Sequence, residues 1–349
     1  MKESNNILQI EGLSIGYRPS VRQERIILSH IQLSAGKGEL IALIGRNGTG
    51  KSTLLRTIVG VQPGFDGTIL LSGKKAEDYS RGELSRMLSF VSTEIIRISH
   101  LSVYELVALS RFPYTGWVGR LNSNDKKIVI DSIHQVGIQS LLKKNITEIS
   151  DGERQRVMIA RALAQDTELI VLDEPTAYLD LPNKYEIIHL LGRICKDQNK
   201  TIIFSSHDLS SAINEADKFW LFTSGEIKEG APEDLILSGK LSEVFGDTNL
   251  IFDIEKGEIR KKKTQRKKIN LTGTDNFQYY WTVKALERLG YEVSDTGYED
   301  NRSVSIINKN DKYIWCLKEK DQYYEYKNIY ELASELKTIN TDTQKHGLK

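Results

Sequence analysis

The sequence predicts an α/β domain built on a parallel sheet, followed by a small α+β domain. A glycine-rich loop lies between the apolar run Leu40–Ile44 and a helical pattern, and a second apolar run, Leu169–Leu172, ends in two acids. Continuous apolar runs of this length are typical of parallel strands that are buried on both faces of a sheet. After about residue 255 the apolar pattern gives way to a basic run and then starts again, so we expect a second domain.

The composition is that of an ordinary folded protein. The 349 residues are 27% charged and 39% hydrophobic, and the formal net charge of +1 provides no global attraction for nucleic acid. The first residues lack the apolar core of a signal peptide, and no apolar run reaches the ~18–20 residues needed to cross a bilayer. The two cysteines, Cys195 and Cys316, form no redox or metal motif. We therefore expect a reducing, cytosolic setting and no membrane span.

The first domain, predicted to cover residues 1–255, begins with strands and then becomes helical. Apolar and alternating patterns predict early strands at 7–17, 26–34, 40–44, 68–71 and 88–92. The segment from about 94 to 165 is interpreted as a helical subdomain, with helices near 102–110, 124–136 and 153–165. Strands return at 169–172, 201–206, 218–223 and 226–229.

The glycine-rich loop Gly45–Thr53 has the pattern G-x-x-x-x-G-K-[ST], which predicts a phosphate-binding loop. Glycines let successive backbone N–H groups turn towards a phosphate chain, and the following helix N-terminus adds its positive end. Lys51 is then placed to reach the β- and γ-phosphates, and Ser52 to bind Mg²⁺. We predict ATP and Mg²⁺ as cofactors, bound by Gly45, Asn47, Gly48, Gly50, Lys51, Ser52 and Thr53.

Two further strands end in residues that suit phosphate chemistry. Asp173 and Glu174 follow Leu169–Leu172, and His207 follows the apolar run at 201–206. Ligands of open α/β sheets bind at the carboxyl ends of the strands, where these side chains emerge. We predict that Asp173 holds Mg²⁺ through water, that Glu174 polarises the attacking water and that His207 contacts the γ-phosphate.

Tyr17 ends the first predicted strand, beside the loop at 18–20. From the residues alone two interpretations stay open. The ring stacks on a purine base, or it packs against its neighbours at the end of the strand.

The chain from about 7 to 250 resembles the ATP-binding subunits of ABC transporters. Five motifs of that family occur in the family's order, namely the phosphate loop, the signature Ile149-Ser150-Asp151-Gly152-Glu153-Arg154-Gln155-Arg156, the acid pair, the D-loop aspartate Asp180 and the switch histidine His207. The resemblance implies an ATPase with Glu174, His207 and Lys51 as its catalytic residues. It also implies that two copies face each other head to tail. Ser150, Gly152 and Glu153 of one copy then close over the γ-phosphate held by the other, and Tyr17 falls at the adenine-stacking position.

Two positions depart from the family's pattern. The signature has Asp151 where glycine is usual, which brings a carboxylate near the γ-phosphate side. After the strand at 88–92 the chain has Thr93 and Glu94 where the family has a glutamine, and either side chain offers oxygen to Mg²⁺ or its water. We expect the link between the membrane partner and the nucleotide to be altered here.

The helical insert is similar to that of importers of iron–siderophore, haem or cobalamin complexes, on the stretches 103–114 and 117–121. The resemblance implies a peripheral subunit on the cytoplasmic face of the cell membrane. Its partners would be polytopic permease subunits, a second copy of the chain and, indirectly, a substrate-binding protein.

Two rival functions are considered. One is a soluble ABC ATPase without a transport role, which uses the C-terminal domain as an adaptor. The other is a regulatory protein in which ATP only switches the tail domain. A single phosphate loop and the lack of a sustained heptad run argue against the first, and the intact Glu174 and His207 argue against the second.

The tail begins with a basic run at 256–268 that holds eight basic residues against one acid. We expect a solvated linker there, with binding to anionic lipid as the alternative. The pattern of residues 269–349 predicts an accessory domain, in which no family resemblance is apparent. Its predicted helices lie at 277–289 and 329–339, and its predicted strands lie at 268–271, 291–293, 303–307, 313–317 and 322–326. Nine of the fifteen tyrosines lie here, and we expect them and Trp281 to fill its core, with a ligand or partner surface as the alternative.

Overall fold

A computed structural model describes residues 6–20, 23–93, 101–116, 119–246, 248–254, 257–261, 267–274, 276–294, 302–309, 312–320 and 322–346. The chain divides into two compact units, Met1–Arg260 and Lys261–Lys349. In the described residues, no helix combines the length and the apolar character needed to cross a membrane.

Twelve strands and nine α-helices lie in residues 6–261 of the described chain. The strands are β1 (Asn6–Ser20), β2 (Gln23–Gly36), β3 (Leu40–Ile44), β4 (Thr68–Leu71), β5 (Lys74–Lys75), β6 (Leu88–Val91), β7 (Leu169–Leu172), β8 (Thr201–Ser206), β9 (Lys218–Phe222), β10 (Ile227–Gly230), β11 (Leu250–Asp253) and β12 (Glu258–Lys261). The helices are α1 (Lys51–Ile58), α2 (Arg81–Met87), α3 (Val103–Ala108), α4 (Ser123–Gln135), α5 (Asp151–Ala164), α6 (Leu181–Gln198), α7 (Leu209–Glu215), α8 (Pro232–Leu237) and α9 (Lys240–Glu243).

The central sheet has six strands in the order β10-β9-β3-β8-β7-β6. All neighbouring pairs are parallel except β9 and β10. Side chains of β3 alternate between two cores, because successive residues of a strand point to opposite faces. Leu40, Ala42 and Ile44 pack in the core that includes the helical subdomain. Ile41 and Leu43 pack in the core shared with α1 and the antiparallel sheet β2-β1-β4-β5. The predicted burial of the apolar strands on both faces is confirmed.

The helical subdomain contains α3, α4 and α5, where the apolar pattern predicts helices. Each of these helices begins with a capping box, in which Ser102, Asn122 or Ser150 exchanges hydrogen bonds with the acid three residues later. A buried ion pair joins the segment after α3 to α4. The Arg111 Nε and Asp125 Oδ1 atoms are 3.0 Å apart, and Arg111 Nη1 donates to the carbonyl oxygen of Ala164 at 2.9 Å.

The start of the predicted linker is a strand. Glu258–Lys261 forms β12, which pairs with β11, and Arg260 Nε lies 3.1 Å from Asp253 Oδ2. The basic composition of 256–268 predicted a linker and not this hairpin. Charge alone does not show that β12 pairs with the apolar strand β11 before it. Residues 256 and 262–266 of the run lie outside the described residues.

The second unit is an open sheet with two helices. Its elements are β13 (Lys267–Thr272), α10 (Phe277–Arg288), β14 (Tyr291–Ser294), β15 (Arg302–Lys309), β16 (Lys312–Glu319), β17 (Gln322–Tyr326) and α11 (Ile329–His346). The strand order is β14-β13-β15-β16-β17, and the core combines residues such as Leu271, Leu317 and Leu336. These elements agree with the predicted ones, except that α11 continues beyond residue 339.

The expectation that Trp281 and the tyrosines fill this core is wrong for Trp281 and for four tyrosines, and it is confirmed for four others. The exposed tyrosines are Tyr280, Tyr323, Tyr324 and Tyr330, whereas Tyr279, Tyr313 and Tyr326 are partly buried and pack against the core together with Tyr291. Tyr298 lies outside the described residues. Tyr291 is buried, but Trp281 is 60% exposed and Tyr330 is 81% exposed. Helix α10 turns Thr282 and Leu286 to the sheet, and this rotation places Trp281 on the outside. The tryptophan in the core is Trp315, whose Nε1 donates to Thr282 Oγ1 at 2.7 Å.

Both cysteines are free and buried, and we expect them to be unreactive in the folded protein. Burial, reinforced by the Asp217 carboxylate, raises the pKa of the Cys195 thiol to about 12, and burial also raises the pKa of Cys316. Because the thiolate is the reactive form, native labelling should be on the order of 100-fold slower than labelling in urea. A time course with a coloured disulfide reagent, repeated with Cys316→Ser, checks this. Rapid release of one equivalent from the native protein would contradict it.

Candidate nucleotide site

The phosphate loop joins β3 to α1 and depends on its glycines in two ways. Gly48 and Gly50 have φ angles of 80° and 105°, in the left-handed region that side chains disfavour. A Cβ atom on Gly45 would lie 2.6 Å from the Cβ of Phe222. The backbone at residue 45 therefore passes too close to Phe222 for a side chain. Helix α1 starts directly after Gly50, with no side-chain cap and no acid in its first turn. Its N–H groups therefore remain available to an anion.

Lys51 is 5% exposed and lies inside the loop. Its Nζ donates to the carbonyl oxygens of Gly45 at 2.8 Å and Arg46 at 3.0 Å. Burial lowers the pKa of Lys51, and the carboxylates of Glu174 and Asp173 oppose that shift. The ammonium group is thus held in a partly desolvated site, where an added phosphate would be its natural counter-charge.

The sheet brings the residues at the ends of β7 and β8 to the loop. Ser52 Oγ donates to Asp173 Oδ1 at 2.9 Å, and Glu174 Oε1 lies 2.7 Å from His207 Nε2. Asp173 is buried, whereas the Glu174 side chain is 33% exposed and that of His207 is 41% exposed. The structure therefore brings the loop, both acids and the histidine together, at the carboxyl ends of parallel strands.

A cleft of about 520 Å³ opens over the loop. It is lined by Tyr17, Arg25, Ile26, Ile27, Asn47, Gly48, Gly50, Lys51, Ser52, Thr53 and Glu174. Tyr17 is 42% exposed, which leaves a ring face available, and the Arg25 guanidinium lies 5.6 Å from the ring centroid. Sequence reasoning missed Arg25. The missing information was the hairpin register, in which Tyr17 of β1 pairs with Arg25 of β2.

The signature forms the N-terminus of α5, which begins at Asp151 with Ser150 as its N-cap. Ser150 Oγ accepts the Glu153 N–H at 3.3 Å, and Glu153 Oε2 accepts the Ser150 N–H at 2.8 Å. These bonds with Ser150 lower the pKa of Glu153. Gly152 has little space, since a Cβ atom there would lie 3.3 Å from the side chain of Asn183. None of the three is among the described residues that line the cleft of the same chain.

The unusual Asp151 is paired within its own helix. Its Oδ1 lies 3.1 Å from Arg154 Nη1, so the added carboxylate has a counter-charge one turn away. A second cavity, of about 240 Å³, is lined by Thr93 and Asp151 together with Asp173 and Glu174. Both departures from the family's pattern therefore border the acid pair. Glu94, which with Thr93 is predicted to offer oxygen to Mg²⁺, lies outside the described residues.

Asp180 is the N-cap of α6. Its Oδ1 accepts hydrogen bonds from the Asn183 backbone N–H at 3.3 Å and from Asn183 Nδ2 at 2.6 Å. Asp180 does not line the cleft of its own chain among the described residues. Its local role is therefore to start α6.

The chain matches two families of known proteins. The ABC transporter family matches residues 28–177, and the iron ABC transporter C-terminal domain matches residues 266–337. The first match contains the phosphate loop, the signature and the acid pair. The second lies in the unit to which the residues alone assigned no family.

The similarity to individual relatives covers most of the chain. An uncharacterized ABC transporter ATP-binding protein of Methanocaldococcus jannaschii is 37% identical over 265 residues, covering 74% of this chain and 90% of the relative. The iron(3+)-hydroxamate import ATP-binding protein of Bacillus subtilis is 37% identical over 250 residues, covering 71% of this chain and 91% of the relative. A solved Clostridium perfringens structure, part of the ABC transporter complex cbiONQ, has 30% identity and a TM-score of 0.59, covering 68% of this chain and 92% of that one. Since the similarity spans almost the whole of these relatives, this chain belongs to the ABC transporter ATP-binding proteins, the subunits that bind and hydrolyse ATP to drive transport.

Proposed function

We propose that this chain energises an importer of iron–siderophore complexes. The match of residues 266–337 to the iron ABC transporter C-terminal domain carries the proposal, because it concerns a part of the chain that ATP chemistry does not explain. The Bacillus subtilis relative, named for iron(3+)-hydroxamate import, supports the same substrate class. Haem and cobalamin are the other substrates that the helical insert suggests, and the uptake test below distinguishes them from iron–siderophore complexes.

In the proposed site, ATP lies in the cleft over the phosphate loop. The N–H groups of Asn47, Gly48 and Gly50 and the start of α1 face the phosphates, and Lys51 exchanges its carbonyl partners for phosphate oxygens. The half-exposed ring of Tyr17 stacks on the adenine. Thr53 lines the same cleft and completes the phosphate cradle.

Mg²⁺ fits the donor set at the end of β7. The Ser52 hydroxyl and the Asp173 carboxylate converge to 2.9 Å, and oxygen donors of this kind are those that Mg²⁺ prefers. Mg²⁺ would supply neutralisation of the phosphate charge. Ser52 and Asp173 would hold it, and either Thr93, which lines a cavity together with Asp173, or Glu94 would provide a further oxygen.

For hydrolysis we assign the water-orienting role to Glu174 and the γ-phosphate contact to His207. Their contact of 2.7 Å keeps the carboxylate at the end of β7, where it faces the cleft. The chain has a single phosphate loop and a single signature, and Ser150, Gly152 and Glu153 are not among the described residues that line the cleft of the same chain. We therefore propose that a second copy supplies Ser150, Gly152 and Glu153 to the γ-phosphate and brings Asp180 to the shared interface.

We propose that this dimer binds polytopic permease subunits on the cytoplasmic face of the membrane, with a substrate-binding protein delivering the chelate on the other side.

The second unit is proposed to be an accessory or regulatory domain. Its exposed aromatic side chains, such as Trp281 and Tyr330, support a contact role rather than a purely structural one.

A pull-down of the tagged full-length chain from detergent-solubilised membranes tests the proposal. We expect co-purification of one polytopic protein in a two-to-two complex, retained with ATP in the Glu174→Gln variant because its dimer stays closed. Cells that carry only Glu174→Gln should lose uptake of a radiolabelled ferric siderophore. A sample of Lys51→Ala, in which the phosphate contact is removed, controls for nucleotide dependence.

Two results would contradict the proposal. Recovery of soluble partners alone would favour the non-transport ATPase. Loss of haem or cobalamin uptake, with ferric siderophore uptake unchanged, would show that the substrate class is wrong.

A further inference from the structure

A buried hydroxyl outside the family's motifs joins the two acids of the site. Ser205 lies at the carboxyl end of β8, next to the end of β7, because Leu172 and Phe204 are paired in register. It is 0% exposed. Ser205 shares a face of β8 with Thr201 and Ile203. A hydroxyl group is rarely buried in a core unless it has hydrogen-bond partners.

The hydrogen-bond partners of Ser205 are Asp173 and Glu174. Its hydroxyl donates to Asp173 Oδ1 at 2.8 Å and accepts the backbone N–H of Glu174 at 2.8 Å. Asp173 Oδ1 also accepts the Ser52 hydroxyl, so two hydroxyl groups orient this carboxylate oxygen. One side chain thus holds both the carboxylate of the first acid and the peptide of the second.

The backbone of Glu174 needs such a restraint. Its φ angle is +50°, in the left-handed region that non-glycine residues adopt only where surrounding contacts enforce it. This conformation turns the Glu174 side chain to the cleft, where its Oε1 reaches His207 Nε2. Loss of the Ser205 bond would leave the Glu174 N–H buried without its partner and free the peptide to rotate.

We propose that Ser205 is a positioning residue for ATP hydrolysis, which orients Asp173 towards the metal and holds Glu174 in its water-orienting conformation. The inference rests on the roles proposed above for Asp173 and Glu174. Ser205 itself touches neither nucleotide nor water in this assignment, so its removal should affect turnover and metal binding more than nucleotide binding.

The test compares Ser205→Ala with a matched control on the same strand. Thr201 is also 0% exposed, and its Oγ1 donates to the Gly36 carbonyl at 2.9 Å and accepts the Gly38 N–H at 3.0 Å. Thr201→Val therefore removes an equally buried hydroxyl with two similar bonds, at the end of β8 that is remote from the cleft. Steady-state hydrolysis, Tm, Mn²⁺ affinity with bound nucleotide, and nucleotide affinity in EDTA are measured for both.

We expect Ser205→Ala to lower kcat by about 10–100-fold, with KM for ATP changed by less than about threefold. Mn²⁺ affinity should fall about tenfold, as expected for loss of a residue that orients a metal ligand, while nucleotide affinity in EDTA stays parental. Thr201→Val should lower Tm and keep the parental kcat. Ser205→Thr, which retains the hydroxyl, should recover most of the activity. If Ser205→Ala does not fold, Ser205→Cys, which keeps the volume and bonds weakly, takes its place.

The inference is overturned if Ser205→Ala hydrolyses ATP at the parental rate. It is also overturned if Ser205→Ala and Thr201→Val lose activity alike, in proportion to their Tm, because that result shows a structural role. Glu174→Gln separates this inference from the proposed function. If Glu174→Gln is inactive while Ser205→Ala is active, only the positioning role fails, whereas a fully active Glu174→Gln removes the assignment on which both rest.

Discussion

Replacement of Glu174 by glutamine is expected to lower kcat for ATP hydrolysis by at least about 100-fold while ATP still binds. A positioned general base contributes roughly 10²–10⁴-fold to such reactions, and glutamine keeps the size of the side chain but not its basicity. The Glu174 carboxylate lines the cleft and lies 2.7 Å from His207 Nε2, so the substituted group is the one that faces the proposed nucleotide site. Phosphate release and the affinity for a fluorescent ATP analogue measure the two effects separately.

The matched control for this variant is Glu168→Gln. Glu168 directly precedes β7, at the end of the strand opposite to Glu174, and pairs with Lys37 at 3.3 Å. The Glu168 side chain is 57% exposed, and its replacement should leave hydrolysis at the parental rate. Parental hydrolysis by Glu174→Gln would remove Glu174 from the mechanism, and a loss of ATP affinity equal to the loss of kcat would point to a binding role instead.

Replacement of Arg111 by leucine is expected to destabilise the protein by about 3–5 kcal/mol, because it leaves the buried Asp125 carboxylate without its counter-charge. The side chains of Arg111 and Asp125 are 4% and 3% exposed, and their Nη2 and Oδ1 atoms lie 3.0 Å apart. Arg111 also donates to the Ala164 carbonyl oxygen, so the variant disconnects α4 from the end of α5. Urea unfolding of the full chain, followed by far-UV circular dichroism, measures the change.

Two further variants serve as controls for Arg111→Leu, one in an exposed ion pair and one that removes both buried charges. Lys37→Met removes the surface contact with Glu168 and should cost at most about 1 kcal/mol. The double variant Arg111→Leu/Asp125→Leu removes both buried charges and should be more stable than Arg111→Leu alone, since the unpaired carboxylate is gone. If Arg111→Leu unfolds at the parental urea concentration, the buried pair does not hold the helical subdomain together.

The elements of the fold were largely accessible from the sequence, because the signals for them are local. The apolar run Leu40–Ile44 needs only its own residues to indicate a buried strand, and the capping boxes at Ser102 and Ser150 lie within four residues. The phosphate loop is equally local, since its glycines and Lys51 act within one turn between a strand and a helix. The same reasoning predicted a linker at 256–268, although residues 258–261 form β12, because charge does not show strand pairing.

The sequence by itself determined the nucleotide chemistry of this protein, because the loop, the acids and the histidine are each marked by short patterns at the ends of strands. Only the tertiary structure decided which distant residues meet. The register of β1 against β2 places Arg25 beside Tyr17, and the register of β7 against β8 places the Ser205 hydroxyl between the two acids. The rotation of α10 about its axis decided that Trp281 is exposed while Trp315 is buried. The contacts of Arg25 with Tyr17, of Ser205 with Asp173 and of Trp315 with Thr282 join residues 8 to 33 positions apart. Their geometry depends on strand register and helix rotation, which no local pattern specifies.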